Sequence, residues 1–217
     1  PSDQGRAFAV NGSLSKGKLR GVGFIFVLCF LISSVLFLPL DVEYVIYGIL
    51  LFAMMISGYL DDASKTPWNE YKKGLIDLVI SVVAVLTYMN FNSTTICFGA
   101  DEIVIPKALF LILGVILIWV SVNVTNCTDG VDGLCASLCS VTLLAFGVLF
   151  ASVLQKYAMA NFLFLSVLFA YLYFNSSPSS MLMGDAGSRA LGFYIAVIAL
   201  KSTHPFIYIL LAAVMIV

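Results

Sequence analysis

Residues 106–122 read PKALFLILGVILIWVSV, an apolar run opened by a proline and carrying one charge, Lys107, at its edge. The hydrocarbon core of a bilayer takes about 20 such residues as a helix. Similar runs occur near residues 21–38, 43–60, 75–90, 134–153, 158–174, 189–200 and 205–217. The six prolines, Pro1, Pro39, Pro67, Pro106, Pro178 and Pro205, all fall outside these runs or at their edges. Proline breaks helices, so its placement supports the boundaries. Composition agrees: 61% of the 217 residues are hydrophobic, 11% are charged and mean hydropathy is +1.06. A soluble domain carries roughly a quarter charged residues. The runs lack the alternation of a membrane barrel, so the expectation is an all-α, polytopic helical bundle with about eight spans. A net charge of −1 gives no electrostatic case for nucleic acid.

With eight consecutive spans the connections fall into two sets on opposite membrane faces. Residues 1–20, 61–74, 123–133 and 175–188 form one set; 39–42, 91–105, 154–157 and 201–204 form the other. The first set, with adjoining helix ends, holds Arg6, Lys16, Lys18, Arg20, Lys65, Lys72, Lys73 and Arg189. The second holds Lys107, Lys156 and Lys201. By the positive-inside rule the first set faces the cytoplasm. Twenty polar residues before the first run argue against a signal peptide. Asn92-Ser93-Thr94 is a formal glycosylation acceptor without functional weight, and with His204 the sole histidine, Cys135 and Cys139 make a poor zinc site.

The acidic residues carry the chemistry. A carboxylate within hydrocarbon costs roughly 2.5–3.5 kcal/mol, so acids set against a span end are functional candidates. Asp61-Asp62 closes the second span; paired acids can hold a divalent cation or act as a base. In 123–133, NVTNCTDGVDG, the residues Asn123, Asn126, Asp129 and Asp132 recur every third position, and their hard oxygens suit magnesium. Met183-Gly184-Asp185-Ala186-Gly187-Ser188-Arg189 runs into an apolar helix whose N-terminus favours phosphate. All three segments lie on the same face. Together they suit magnesium-dependent handling of a pyrophosphate where water meets lipid. Asp77 stands apart, a turn inside the third span, with Lys73 four residues before it as the simplest partner.

Residues 123–133 resemble the NAxNLTDGLDGLA motif of the polyprenyl-phosphate N-acetylhexosamine-1-phosphate transferases. Residues 183–192 resemble that family's FMGDxGSLALGG motif, and 58–62 its paired-aspartate motif. Thr128 and Met183 tilt the likeness towards the branch that handles phospho-MurNAc-pentapeptide, and the opening PSDQGRAFAVNGSLSKG is similar to the segment before that branch's second span. The resemblance implies one transmembrane transferase domain over 1–217, lacking the first and last of about ten family spans. It implies a multi-pass enzyme of the bacterial cytoplasmic membrane with its site facing the cytoplasm. Its substrates would be a UDP-linked amino-sugar donor (UDP-MurNAc-pentapeptide) and undecaprenyl phosphate, its cofactor Mg2+, and its products UMP and lipid I for peptidoglycan synthesis. A homodimer is left open. By position, Asp61 would be the base that deprotonates the lipid phosphate, Asp62 its electrostatic support and Asp185 the principal magnesium ligand, aided by Asn123 and Asn126. Asn126, Asp129 and Asp132 would line the nucleotide and sugar site. Lys16 and Lys72 would meet phosphate and nucleotide, and Leu182, Gly184 and Ser188 would complete the substrate contacts.

The likeness has gaps. Leu182 stands where the family has phenylalanine, and Arg189 and Phe193 replace a leucine and a glycine. The family's HHHxE motif, which belongs to its last cytoplasmic loop, has no counterpart within these residues. Two rival readings remain at this stage: a sister transferase using a UDP-N-acetylhexosamine without peptide, and an ion-coupled transporter, which predicts acids near mid-membrane.

Overall fold

The computed structural model describes residues 1–3, 16–64, 66, 68–98 and 101–216. Arg6, Lys65 and Pro67 lie outside the described residues. Among the described residues eight helices follow one another: α1 (Gly23–Phe37), α2 (Val42–Ala63), α3 (Glu70–Phe91), α4 (Lys107–Thr128), α5 (Leu134–Phe150), α6 (Gln155–Asn175), α7 (Gly184–Lys201) and α8 (Pro205–Ile216). Each expected span holds one helix. Between α3 and α4 lies an antiparallel hairpin, β1 (Thr95–Phe98) with β2 (Asp101–Val104), where the sequence reads as a plain loop.

The helices overrun the expected spans. α2 continues through Asp61 and Asp62, α3 starts at Glu70, α4 runs on through Asn123 and Asn126, and α7 starts at Gly184. An apolar run records hydrocarbon thickness, whereas backbone hydrogen bonding continues into the headgroup layer. Asp61, Asp62, Lys72, Asn123, Asn126, Gly184, Asp185 and Ser188 therefore sit on helix ends rather than in loops. α2, α3, α4 and α6 are long and apolar enough to cross a membrane; α1 and α5 are apolar but shorter, at 15 and 17 residues. The chain is a multi-pass helical membrane protein.

α7 is the axis of the bundle. All 18 of its residues are buried, chiefly against α2 and α4, with α1, α5 and α8 also in contact. The outer faces present Ile25, Leu36, Ile49, Leu86, Ile112, Val148 and Phe169, as lipid-facing helices require. Lipid tails are as apolar as leucine, so helices in a bilayer hold together through close backbone approach and polar contacts. Close approach is visible at the glycines. A Cβ at Gly23 would lie 2.1 Å from the Gly187 nitrogen, and one at Gly58 would lie 2.4 Å from the Asp185 carbonyl oxygen. Between α1, α6 and α7 the Phe30 and Phe164 rings stack at 4.1 Å, and the Tyr194 hydroxyl donates to Asn161 Oδ1 at 3.0 Å.

The two sets of connections gather at opposite ends. At one end Leu19 bridges to Ser2 and Met181, and the Gly133 N–H donates to Asn175 Oδ1 at 3.0 Å. At the other, the Cys97 N–H donates to the Thr203 carbonyl at 2.8 Å. There Lys201 donates to both Glu43 oxygens, at 3.1 and 3.0 Å, and to Asn92 Oδ1 at 2.7 Å.

Gly58→Ala should push α2 off the first turn of α7. A loss of about 1–3 kcal/mol is expected, the usual cost of overpacking. Gly48→Ala, whose Cβ would meet only a leucine methyl at 3.8 Å, serves as the matched control and should melt like the parent. Thermal melts of the detergent-purified proteins compare the two.

Candidate functional site

The site is assembled by a short patch of backbone pairing. The Asp3 N–H donates to the Lys18 carbonyl and the Arg20 N–H to the Pro1 carbonyl, both at 2.9 Å. The Leu182 N–H donates to the Leu19 carbonyl at 2.8 Å, and the Val22 and Gly23 N–H groups donate to the Leu182 and Met183 carbonyls. The start of α1 is thereby sewn to the approach to α7, and Arg20 is carried onto the acids.

Arg20 spans two of them. Its Nε donates to Asp62 Oδ1 at 2.8 Å and its Nη2 to Asp185 Oδ1 at 3.2 Å, with Asp3 3.6 Å from Nη1. Burial works against the guanidinium's charge, but Asp62, Asp185 and Asp3 outweigh it and raise its pKa. The second Asp62 oxygen accepts the Ala186 N–H at 3.1 Å, so a carboxylate already meets the positive end of α7. That contact explains Gly184: its φ is +66°, and a Cβ there would lie 2.4 Å from Asp62 Oδ2.

Lys73 does for Asp61 what Arg20 does for Asp62. Its Nζ lies 2.7 Å from Asp61 Oδ2 and 3.2 Å from Asp185 Oδ2, while Asp61 Oδ1 accepts the Trp68 N–H at 2.6 Å. Asp185 is thus held between two cations, one on each oxygen. Burial favours its neutral form, yet Lys73 and Arg20 prevail and bring its carboxyl below the usual range.

One turn deeper lies a second ion pair. Arg189 Nη2 donates to Asp77 Oδ1, and each residue is 2% exposed. The expected Lys73–Asp77 pairing along α3 is overturned. Lys73 is drawn to Asp61 and Asp185, and Asp77 takes the guanidinium from α7. Lys73 and Asp77 on α3 therefore face Asp185 and Arg189 on α7 with the charges exchanged, in two successive rungs.

The row on α4 divides. Asn126 Nδ2 donates to Ser188 Oγ at 2.9 Å, and Ser188 in turn donates to the Gly184 carbonyl at 3.0 Å, so Ser188 lies inside the helix rather than capping it. Asn123 is exposed and donates to the Trp119 carbonyl at 2.7 Å. Lys73, Asp77, Asn123, Asn126 and Arg189 share a cavity of about 290 Å³ between α3, α4 and α7. α4 ends at Thr128, with Asp129 as its C-cap. Asp132, past the helix, accepts the Ser179 N–H at 3.0 Å and lies 3.5 Å from Lys18. Partial burial works against its charge, but the Ser179 and Lys18 contacts lower its pKa. Lys72 is exposed and lies over the Trp68 ring at 3.4 Å, Lys16 is exposed on the turn before α1, and Leu182 contributes its backbone to the pairing described above.

Asp61, Asp62, Asp185, Asn126, Gly184 and Ser188 are therefore brought together. Asp132 belongs to an adjoining group with Lys18, while Lys16 is exposed and Lys72 lies over Trp68. Arg20, Lys73 and Arg189 were legible as positive charges on this face but not as the partners that organise it. Among the described residues, the carboxylates of Asp61, Asp62 and Asp185 outnumber Arg20 and Lys73, which lie between them, a balance that fits a divalent cation. Among the described residues no three acidic, histidine or cysteine side chains form a ready cage. A magnesium ion here would complete its shell with water and phosphate oxygens, as is usual for it.

The sequence profile of glycosyl transferase family 4 matches residues 44–203, most of the chain. The chain belongs to glycosyl transferase family 4. It is similar to the phospho-N-acetylmuramoyl-pentapeptide-transferase of Treponema pallidum (strain Nichols), with 35% identity across 100% of this chain and 66% of the relative. The protein of that name from Wolinella succinogenes is 30% identical over 97% of this chain and 67% of its own length. That from Halalkalibacterium halodurans is 29% identical over 98% and 71%. The chain spans about two thirds of the length of the first two. The family 4 match takes in Asp61, Asp62, Lys73, Asn126, Asp185 and Arg189, while Arg20 lies before it.

Removing one member of the deeper pair should cost more than removing both. Asp77→Leu leaves Arg189 buried without a counter-charge and should destabilise by about 3–5 kcal/mol. Asp77→Leu combined with Arg189→Leu should recover most of that loss. Thermal melts in detergent distinguish the two outcomes.

Proposed function

We propose that this family 4 chain transfers phospho-MurNAc-pentapeptide from its UDP donor to undecaprenyl phosphate, releasing UMP and lipid I at the cytoplasmic face of the bacterial inner membrane. The observation that carries the reading is the convergence of Asp61, Asp62 and Asp185, from α2 and α7, on Arg20 and Lys73 at one end of a membrane bundle. The names of the relatives point to the donor and the acceptor, and the excess of lysine and arginine at that end supports the cytoplasmic side.

In this reading an oxygen of the lipid phosphate attacks the sugar-linked phosphorus of the donor. A new diphosphate bond forms, and the bond to the UMP oxygen breaks. Both reactants are anionic, so the task is to reduce repulsion and align attack. Lys73 and Arg20 supply fixed positive charge beside the reacting phosphates. Asp61 lies against Lys73 and would take the proton of the lipid phosphate. Asp62 is tied to Arg20 and to the first turn of α7, and its role is to hold Asp185 and Arg20 in register. Asp185 would hold magnesium, aided by Asn126, which is hydrogen-bonded to Ser188 on the same turn of α7, and by Asn123 at the open side. The ion, when bound, would neutralise diphosphate oxygens. Asp129 and Asp132 would serve the nucleotide and sugar, and the apolar outer faces give the lipid its approach from the bilayer.

The test is UMP release by the purified protein with undecaprenyl phosphate and magnesium. Release from UDP-MurNAc-pentapeptide, its abolition by EDTA, and a fall of about 10²–10³-fold in Asp185→Asn are expected. Release from UDP-N-acetylglucosamine alone would replace the donor assignment. A folded protein that releases UMP from neither sugar would overturn the transferase reading.

A further inference from the structure

The cavity between α3, α4 and α7 has a wall that the proposed reaction does not use. Arg189 lines it and is 2% exposed. Its Nη2 is taken by Asp77, but Nε and Nη1, both buried, have no hydrogen-bond partner among the described residues. A buried guanidinium donor left without an acceptor is costly, and such a group calls for a ligand or a water to answer it. Lys73 lines the same cavity, and Asn126 adds an amide. Asp77, the carboxylate facing Arg189, is neutralised by that contact, and Glu70 at the rim is 3.5 Å from Lys73. At about 290 Å³ the space exceeds what a single water requires and can admit a phosphoryl group.

We propose that Arg189 is an anion-binding residue of this cavity, held by Asp77 through one nitrogen so that its remaining donors receive a phosphate oxygen. Guanidinium suits phosphate because it is planar, permanently charged and rich in donors. Identifying the anion as a substrate phosphate rests on the transferase reading; the existence of the anion site does not. The phosphate can come from the water-soluble donor or from the lipid acceptor.

The probe is inorganic pyrophosphate, titrated without magnesium into the detergent-purified chain and followed by calorimetry. Arg189→Lys keeps the charge and a partner for Asp77 but has a single nitrogen. Asp77→Leu with Arg189→Leu removes the pair together and guards against misfolding of the single variant. Both should elute and melt as folded proteins and bind pyrophosphate at least tenfold more weakly than the parent. Equal affinity in either folded variant, or no binding by the parent, would reduce Arg189 to a packing partner of Asp77 beside a water-filled cavity. Competition by UMP assigns the anion to the donor, and competition by a polyprenyl phosphate in micelles assigns it to the acceptor. Arg189-dependent binding that neither displaces would keep the anion site and count against the transferase reading.

Discussion

The first turn of α7 lies within touching distance of the backbones of α1 and α2, and the site depends on that closeness. It exists because residues 23, 58, 184 and 187 are glycines, with no side chain between the helices. Asp62 can then reach the Ala186 N–H, and Asp185 is turned between Arg20 and Lys73 rather than towards lipid. A methyl group at Gly58 or Gly184 would act on the electrostatics through the backbone, by parting the charges it keeps together.

The two ends of the bundle show what separates a structural ion pair from a reactive one. At the end remote from the acids, Lys201 spends its donors on Glu43 and Asn92, and Tyr47 adds a hydroxyl to Glu43. Lys201 and Glu43 there answer each other's charge. Among the described residues, the carboxylates around Asp185 exceed their cations, and one helical turn below, Arg189 retains donors without acceptors. Surplus negative charge beside unanswered positive donors is an arrangement that a metal ion and an anion together can complete.

Much of this was open to sequence reading, for definite reasons. Apolar runs and proline positions mark helices well because a bilayer imposes length and forbids unsatisfied backbone. Asp61, Asp62 and Asp185 could be expected on one face because an even number of spans separates them. Helix ends were hidden, since polar residues continue a helix beyond the hydrocarbon. For that reason the three-residue rhythm from Asn123 to Asp132 proved not to be one surface: α4 stops at Thr128, leaving Asn126 with Ser188 and Asp132 with Ser179 and Lys18. The cation partners were hidden as well. Arg20 and Asp185 are 165 residues apart, and no local spacing favours Arg189 over Lys73 for Asp77. The hairpin of β1 and β2 is too short to show a pattern.

A helix fastened by charge at its two extremities cannot act as a piston. Asp185 anchors α7 at one end through Arg20 and Lys73, and Lys201 anchors the other through Glu43. Sliding by a turn, about 5.4 Å, would break both attachments at once. The bundle is therefore built around a stationary spindle.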